Sequence, residues 1–300
     1  MISSRAEVAD EPAAPEREGG FVRVRVELAY DGTDFSGWAR QPGLRTVQGL
    51  LEDALWKQPP GRELVGSVVV AGRTDAGVHA DRQVVHVDAV PLAAGDRHRL
   101  EIDEHGVPDL TRLCGRWNRI LPGDVRVLRA EVAPAGFDAR FAAMRRHYRY
   151  LVSDAPWGVD PLRRRDTLAW NRPLDVRRLK LASDDLVGLH DFAAFCKQRE
   201  GATTVRQLQS FEWERVDRHL LAATLTADAF CHSMVRSLVG SVLMSGDSRR
   251  GTEWPAEMLH DGTKTSAVAP AHGLTLTGVD YPPDDQLAER IRTTRARRSL

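Results

Sequence analysis

Cysteine is scarce in this chain: Cys114, Cys196 and Cys231 are the 3 present in 300 residues. An odd number of widely separated cysteines with no C-x-x-C pair argues against a disulfide scaffold or a zinc knuckle. It argues for a reducing compartment, the cytoplasm. Long apolar runs are missing as well. None approaches the ~18 residues of a membrane span, and the polar Met1–Gly20 segment has no apolar stretch of the kind a signal peptide needs. No glycine-rich nucleotide loop and no convergent set of metal ligands stands out, so no cofactor is expected. Excess charge of one sign is also lacking, because Lys+Arg 42 balance Asp+Glu 42. A polyanionic partner requires local Lys and Arg at its phosphates, so such a partner would need the charge to be segregated over the surface. The sequence offers that segregation. Arg140, Arg145, Arg146 and Arg149 occur together with no acid among them, and Arg163-Arg164-Arg165 form a second group. Acids gather elsewhere, as in Asp184-Asp185 and Asp284-Asp285.

What is present is alternation, in two series. Val22, Val24, Val26 and Leu28 interleave with Arg23, Arg25 and Glu27, the period-two pattern of a half-buried strand. Thr46 can cap a helix carrying Val47, Leu50, Leu51, Ala54 and Leu55 on one stripe. The second series has a strand around His147–Ser153, a helix from about Asp175, strands near Val205–Arg215 and Leu220–Thr226, and a helix from about Ser233. This last helix buries Met234, Val235, Leu238, Val239 and Val242. Polar alternation in the strands favours antiparallel sheet with helices on one face. The expected fold class is α+β, with halves spanning 21–134 and 135–283. A tail over 1–20, rich in Ala, Pro, Glu and Gly, reads as disordered. Residues 284–300, ending in Arg290, Arg292, Arg295, Arg297 and Arg298, read as a basic tail with a short helix fraying into an arm. His98–Asp109 reads as a polar loop insertion.

Ala71–Ala80, AGRTDAGVHA, concentrates the chemistry. Strand-like runs flank it (Ser67–Val70 and Val84–Val87), so Asp75 stands in a short glycine-flanked loop with Arg73 two residues earlier and His79 four later. Glycines let a planar ligand approach the backbone closely. Backbone N–H groups and Arg73 would keep the acid ionised, as a nucleophile must be. Taken alone, the same loop is equally a β-turn whose Asp bonds its own backbone.

The longer pattern is more specific. GRTDAGVH closely resembles the catalytic motif of the TruA family of tRNA pseudouridine synthases, in which its Asp is the catalytic residue. Tyr30-Asp31-Gly32-Thr33 with Gly37-Trp38-Ala39-Arg40-Gln41-Pro42 resembles that family's YDG…GWQRQ segment. Phe137-Asp138-Ala139-Arg140-Phe141 with Tyr148-Arg149-Tyr150 resembles its F-x-A-R-F…Y-R-Y segment. His190-Asp191-Phe192 and Phe230–Gly240 resemble its HDF and F-x-x-x-M-V-R-x-x-V-G elements. Gly273-Leu274 with Val279–Pro282 resembles its C-terminal strand. The motifs run in family order across roughly residues 20 to 283.

This resemblance implies a pseudouridine synthase-like fold, with two mixed or antiparallel sheet halves, flanking helices and a central catalytic cleft. It implies an isomerase that acts without cofactor or metal on uridines 38, 39 and 40 of the tRNA anticodon stem-loop, and works as a homodimer. Asp75 is the implied nucleophile, Tyr148 is expected to lie against the uracil and to help its final proton transfer, and Leu274 to pack on the base's other side. Arg73 takes part in base flipping. Arg236 sits in an otherwise apolar helix, where an unpaired charge would be expensive, so it is expected to pair with Asp75 in the cleft, and the arginine cluster places Arg145 and Arg146 at phosphates. Outside the resemblance each has a plainer reading: Tyr148 a half-buried strand residue, Leu274 core, Arg236 a charge on the far side of its helix. His79 and His86 lack a third convergent ligand and read as loop and strand histidines. Phe35 and Trp38 can stack on bases or pack in a core. Ala39 and His147 depart from the family pattern, the latter making a positive charge before Tyr148 depend on pH. Two rivals stand beside the enzyme reading: a nonenzymatic RNA-binding protein derived from this family, and a carboxylate-nucleophile hydrolase acting on nucleotides. Pure binding has no need of Asp75, and the hydrolase lacks a second acid.

Overall fold

In β1 (Val22–Tyr30), Val24, Val26, Leu28 and Tyr30 are buried, whereas Arg23, Arg25 and Glu27 stay half-buried. The alternation read from the sequence is therefore the alternation of the sheet. The computed structural model describes residues 22–56, 64–89, 110–197 and 203–295; the 1–20 tail, the 98–109 stretch and residues 296–300 lie outside them. β1 pairs antiparallel with β3 (His79–Ala89) on one side and β4 (Val125–Val132) on the other, and β2 (Leu64–Val70) adds to β3. Helix α1 (Val47–Trp56) begins where Thr46 Oγ1 accepts the Gly49 N–H at 3.3 Å, and it buries Val47, Leu51, Ala54 and Leu55. α2 (Leu110–Ile120) is tied to β4 by a two-way bond between the Asn118 amide and the Val127 backbone, at 2.7 and 2.8 Å.

The second half repeats the plan. Strands β5 (Arg145–Ser153), β6 (Leu168–Ala169), β7 (Gly188–Asp191), β8 (Val205–Arg215) and β9 (Leu220–Ala227) are backed by α3 (Val176–Asp184), α4 (Met234–Gly246) and α5 (Trp254–Asp261). Asp175 caps α3 by accepting the Arg177 N–H at 2.8 Å, the capping role expected of an Asp at that position. The halves meet through β10 (Leu274–Asp280), which runs parallel to β3 and antiparallel to β5. One 10-stranded sheet results, in the order β4-β1-β3-β10-β5-β9-β8-β7, with β2 and β6 off that path.

Neighbouring residues of one strand face opposite ways, and the two faces are covered differently. Val85 points into the large core beneath the helices, with Phe35, Trp38, Tyr150 and Trp213. Phe35 and Trp38 thus pack as core residues. Val84 points the other way, into a smaller cluster with Ala133, Phe137, Ala142 and Leu287. Leu287 opens α6 (Leu287–Arg295), and Arg290 donates to the Ala143 carbonyl. Residues 287–295 are therefore a docked helix, the short helix expected of this stretch, with Leu287 and Ile291 as its apolar contacts; the arm expected beyond it lies outside the described residues.

The cysteines also depart from expectation. Cys196 and Cys231 are joined as a disulfide with their Cα atoms 5.7 Å apart, while Cys114 is free. They lie 35 residues apart in sequence, but Lys197 N–H bonds the His232 carbonyl at 3.1 Å. The turn after β7 and the turn before α4 are thus brought side by side, which spacing along the chain does not reveal.

The segment after α5 crosses α4 at Gly240, where an added Cβ would stand 2.0 Å from the Ala267 carbonyl oxygen. Gly240→Ala gains about 1 kcal/mol of helix propensity, but the clash is with backbone that cannot rotate aside. We expect a net destabilisation of about 1–3 kcal/mol, read as a lower urea midpoint with an unchanged slope.

Candidate active site

β3 and β10 start side by side, with Thr275 opposite His79 and Leu276 opposite Ala80. The loop leading into β3 therefore sits against the turn leading into β10. That loop carries Asp75, and it is pinned on both flanks. Trp38 N–H donates to the Thr74 carbonyl at 3.0 Å, and Gly77 N–H to that of Phe35 at 3.3 Å. Thr74 Oγ1 also meets the Tyr30 hydroxyl at 2.8 Å, and Gln83 donates to that hydroxyl and to the Gly72 carbonyl. Burial pushes the Tyr30 phenol up to about 12, so this hydroxyl stays a neutral bonding partner. Gly77 has φ +79°, and a Cβ there would come within 3.2 Å of Ala271, so both the turn and the close approach require glycine. His79 Nδ1 accepts the Gly32 N–H at 3.0 Å, while its Nε2 faces the carbonyls of Arg165 and His272. It is a bonded histidine that staples three segments together.

The Asp75 side chain keeps 23% of its surface exposed. Its Oδ2 accepts from Arg236 Nη1 at 3.2 Å and from Ser233 Oγ at 3.2 Å. His232 Nε2 lies 3.4 Å from Oδ1. Arg236 points toward the cleft because its Nε is spent on the Ala269 carbonyl at 2.8 Å, which the close packing at Gly240 makes reachable. Ser233 and His232 were read from the sequence only as a helix start and a motif position. Their convergence on Asp75 is visible only in three dimensions.

Tyr148 lies on β5, buried, with its ring edge-on to Phe230 at 5.2 Å between centroids. Burial raises its pKa, and the charge of Asp75 contributes to the rise. The phenol is therefore neutral, and among the described residues its hydroxyl has no hydrogen-bond partner. Leu274 is buried opposite Tyr150, and Leu276 lies opposite Tyr148. Arg73 is exposed, with no hydrogen bond or ion pair among the described residues.

The arginine cluster divides. Arg145 is exposed, 3.9 Å from Asp280. Arg146 is buried, and its guanidinium donates to the carbonyls of Asp228 at 2.6 Å, Ala71 at 2.7 Å and Arg140 at 3.0 Å. Strand alternation explains this, since positions 146, 148 and 150 share the buried side of β5. Burial lowers the pKa of Arg146. It anchors the base of the Asp75 loop and does not present itself to a phosphate, contrary to the sequence expectation.

A carboxylate partly open to solvent, met by an arginine and a hydroxyl and close to a buried tyrosine, is a candidate site built around one acid. Comparisons with known proteins give the family. A family model described as tRNA pseudouridine synthase matches residues 182–282. The chain is 52% identical over 282 residues to tRNA pseudouridine synthase A of Frankia casuarinae, covering 92% of this chain and 96% of that protein. It is 51% identical over 282 residues to tRNA pseudouridine synthase A of Mycobacterium leprae, covering 93% and 96%. The protein of the same name from Streptomyces avermitilis is 50% identical over 288 residues, covering 95% and 97%. At that identity over nearly the whole length, this chain belongs to the tRNA pseudouridine synthase A family.

Arg146→Met removes donors from three buried carbonyls and should cost about 3 kcal/mol. Arg145→Ala should stay within about 0.5 kcal/mol of wild type. Chemical denaturation of both variants separates the buried role from the exposed one.

Proposed function

We propose that this chain isomerises uridine to pseudouridine in the tRNA anticodon stem-loop, at positions 38, 39 and 40, with Asp75 as the catalytic carboxylate. The observation that carries the reading is the coincidence of the GRTDAGVH loop with a solvent-open acid held by Arg236. The reaction exchanges the N1–C1′ bond for a C5–C1′ bond. C5 gives up a proton and N1 takes one, so electrons and atoms balance within the uridine and its solvent, with no cofactor. Asp75 acts at the sugar or the base as nucleophile, and the Arg236 contact keeps the attacking oxygen oriented. The uridine must first leave its stack, at a cost of a few kcal/mol. Exposed and unengaged, Arg73 is free to enter the vacated space or meet a phosphate. Tyr148 and Leu274 bound the uracil, and Arg145 faces the RNA backbone.

The same reading takes the active species to be a homodimer in the cytoplasm. Membrane attachment plays no part in it; among the described residues no helix is long and apolar enough to cross a membrane.

Asp75→Asn keeps the size and removes the charge. Pseudouridine formation on unmodified tRNA should fall by about four decades or more, with tRNA affinity within a few-fold of wild type. Substantial residual turnover would remove Asp75 from the centre of the reaction.

Tyr148→Phe keeps the ring against Phe230 and loses a hydroxyl without a protein partner, so stability should barely change. If that hydroxyl relays the C5 proton, single-turnover release of tritium from C5-labelled uridine should slow by about 10²–10⁴. A near-normal rate would leave Tyr148 a stacking surface.

A further inference from the structure

Ser233 breaks two local rules at once. It has φ 64° and ψ 5°, one of two non-glycine residues with positive φ among those described. The turn it occupies is closed by Met234 N–H to the Cys231 carbonyl at 3.1 Å, and its third position ordinarily takes glycine. It is also the N-cap of α4, where serine ordinarily accepts a backbone N–H from the first turn, in an extended conformation. Here the side chain makes no capping bond. The hydroxyl turns away from its own helix and donates to Asp75 Oδ2 at 3.2 Å. Backbone strain and a forgone cap both oppose folding, and residues held so are found where the surrounding structure uses them.

Placement strengthens the point. Ser233 at the cap and Arg236 in the first turn of α4 both reach the same carboxylate oxygen. Arg236 alone makes a single contact through Nη1, since its Nε is engaged by Ala269. A single contact fixes a distance but leaves the carboxylate able to rotate. A second donor from another direction fixes its plane. Oδ2 then has two donors, while Oδ1 lies 3.4 Å from Nε2 of the exposed His232.

We propose that Ser233 is a positioning residue for Asp75: its left-handed backbone aims the hydroxyl at Oδ2 and thereby orients Oδ1 toward the substrate. This rests on Asp75 being the catalytic carboxylate. The consequence is a separation of stability from turnover at one position. Glycine relieves the backbone strain but deletes the hydroxyl. Asparagine tolerates the left-handed conformation and restores a donor through its amide.

The test measures steady-state kinetics on unmodified tRNA and thermal melting for wild type, Ser233→Gly and Ser233→Asn. Ser233→Gly should melt no lower than wild type, while its kcat falls about tenfold to a hundredfold with KM unchanged, the worth of a hydrogen bond to a charged group. Ser233→Asn should recover part of that kcat. The proposal is overturned by a Ser233→Gly variant that keeps wild-type kcat, loses activity in KM instead, or melts below wild type. It is equally overturned if Ser233→Asn is no faster than Ser233→Gly. A wild-type protein that forms no pseudouridine would instead sink the assigned reaction, which separates the two failures.

Discussion

A carboxylate that must receive a large substrate cannot be buried, so it has to be held by partners that leave one side of it open. Asp75 meets this constraint through Arg236, 161 residues away in the chain. At this degree of exposure the ion pair contributes only about 1 kcal/mol or less to folding, so its worth lies in orientation. Much of the surrounding structure serves that contact. The close crossing at Gly240 delivers Ala269 to the Arg236 guanidinium. The bonds from Trp38, Tyr30 and Gln83 stop the Asp75 loop from shifting, and Arg146 secures its base. Under the proposed function, an aspartate in a turn becomes a reactive group because neighbours on several elements remove its freedom.

Charge balance over the whole chain concealed how differently the individual arginines are used. Arg146 is consumed by carbonyls, Arg165 by Asp31 at 2.9 Å, and Arg236 by Asp75 and Ala269. Arg73 and Arg145 remain on the surface. A cluster of like charge in sequence is thus a mixture of internal struts and surface cations, and in β5 strand alternation sorts Arg146 from Arg145.

Much of the fold was legible because its signals are local. Alternation located β1, β5, β8 and β9, and Thr46 and Asp175 marked the starts of α1 and α3. The apolar stripe from Met234 to Val242 gave α4, although the helix is buried nearly all round. What could not be read depends on contacts distant in sequence. The inward turn of Arg146 follows from the register of β5 against its neighbours, and the Cys196–Cys231 bond from two turns meeting in space. The docking of α6 depends on Leu287 and Ile291, spaced among charged residues. At the site, the motif located Asp75 and the helix pattern hinted at Arg236. Ser233 escaped notice because serine before a helix has an ordinary explanation as a cap, and only its backbone angles show that it is not used as one.

The strand between β3 and β5 in the sheet, β10, follows both of them in the chain. Asp75 is therefore made well before the turn that packs against its loop and before the strand that completes the centre of the sheet. Until that stretch emerges, the first half has an unpaired strand edge and the carboxylate has no settled surroundings. Chain order thus acts as a timer: a nascent chain carries Asp75 before it carries the surroundings that hold it.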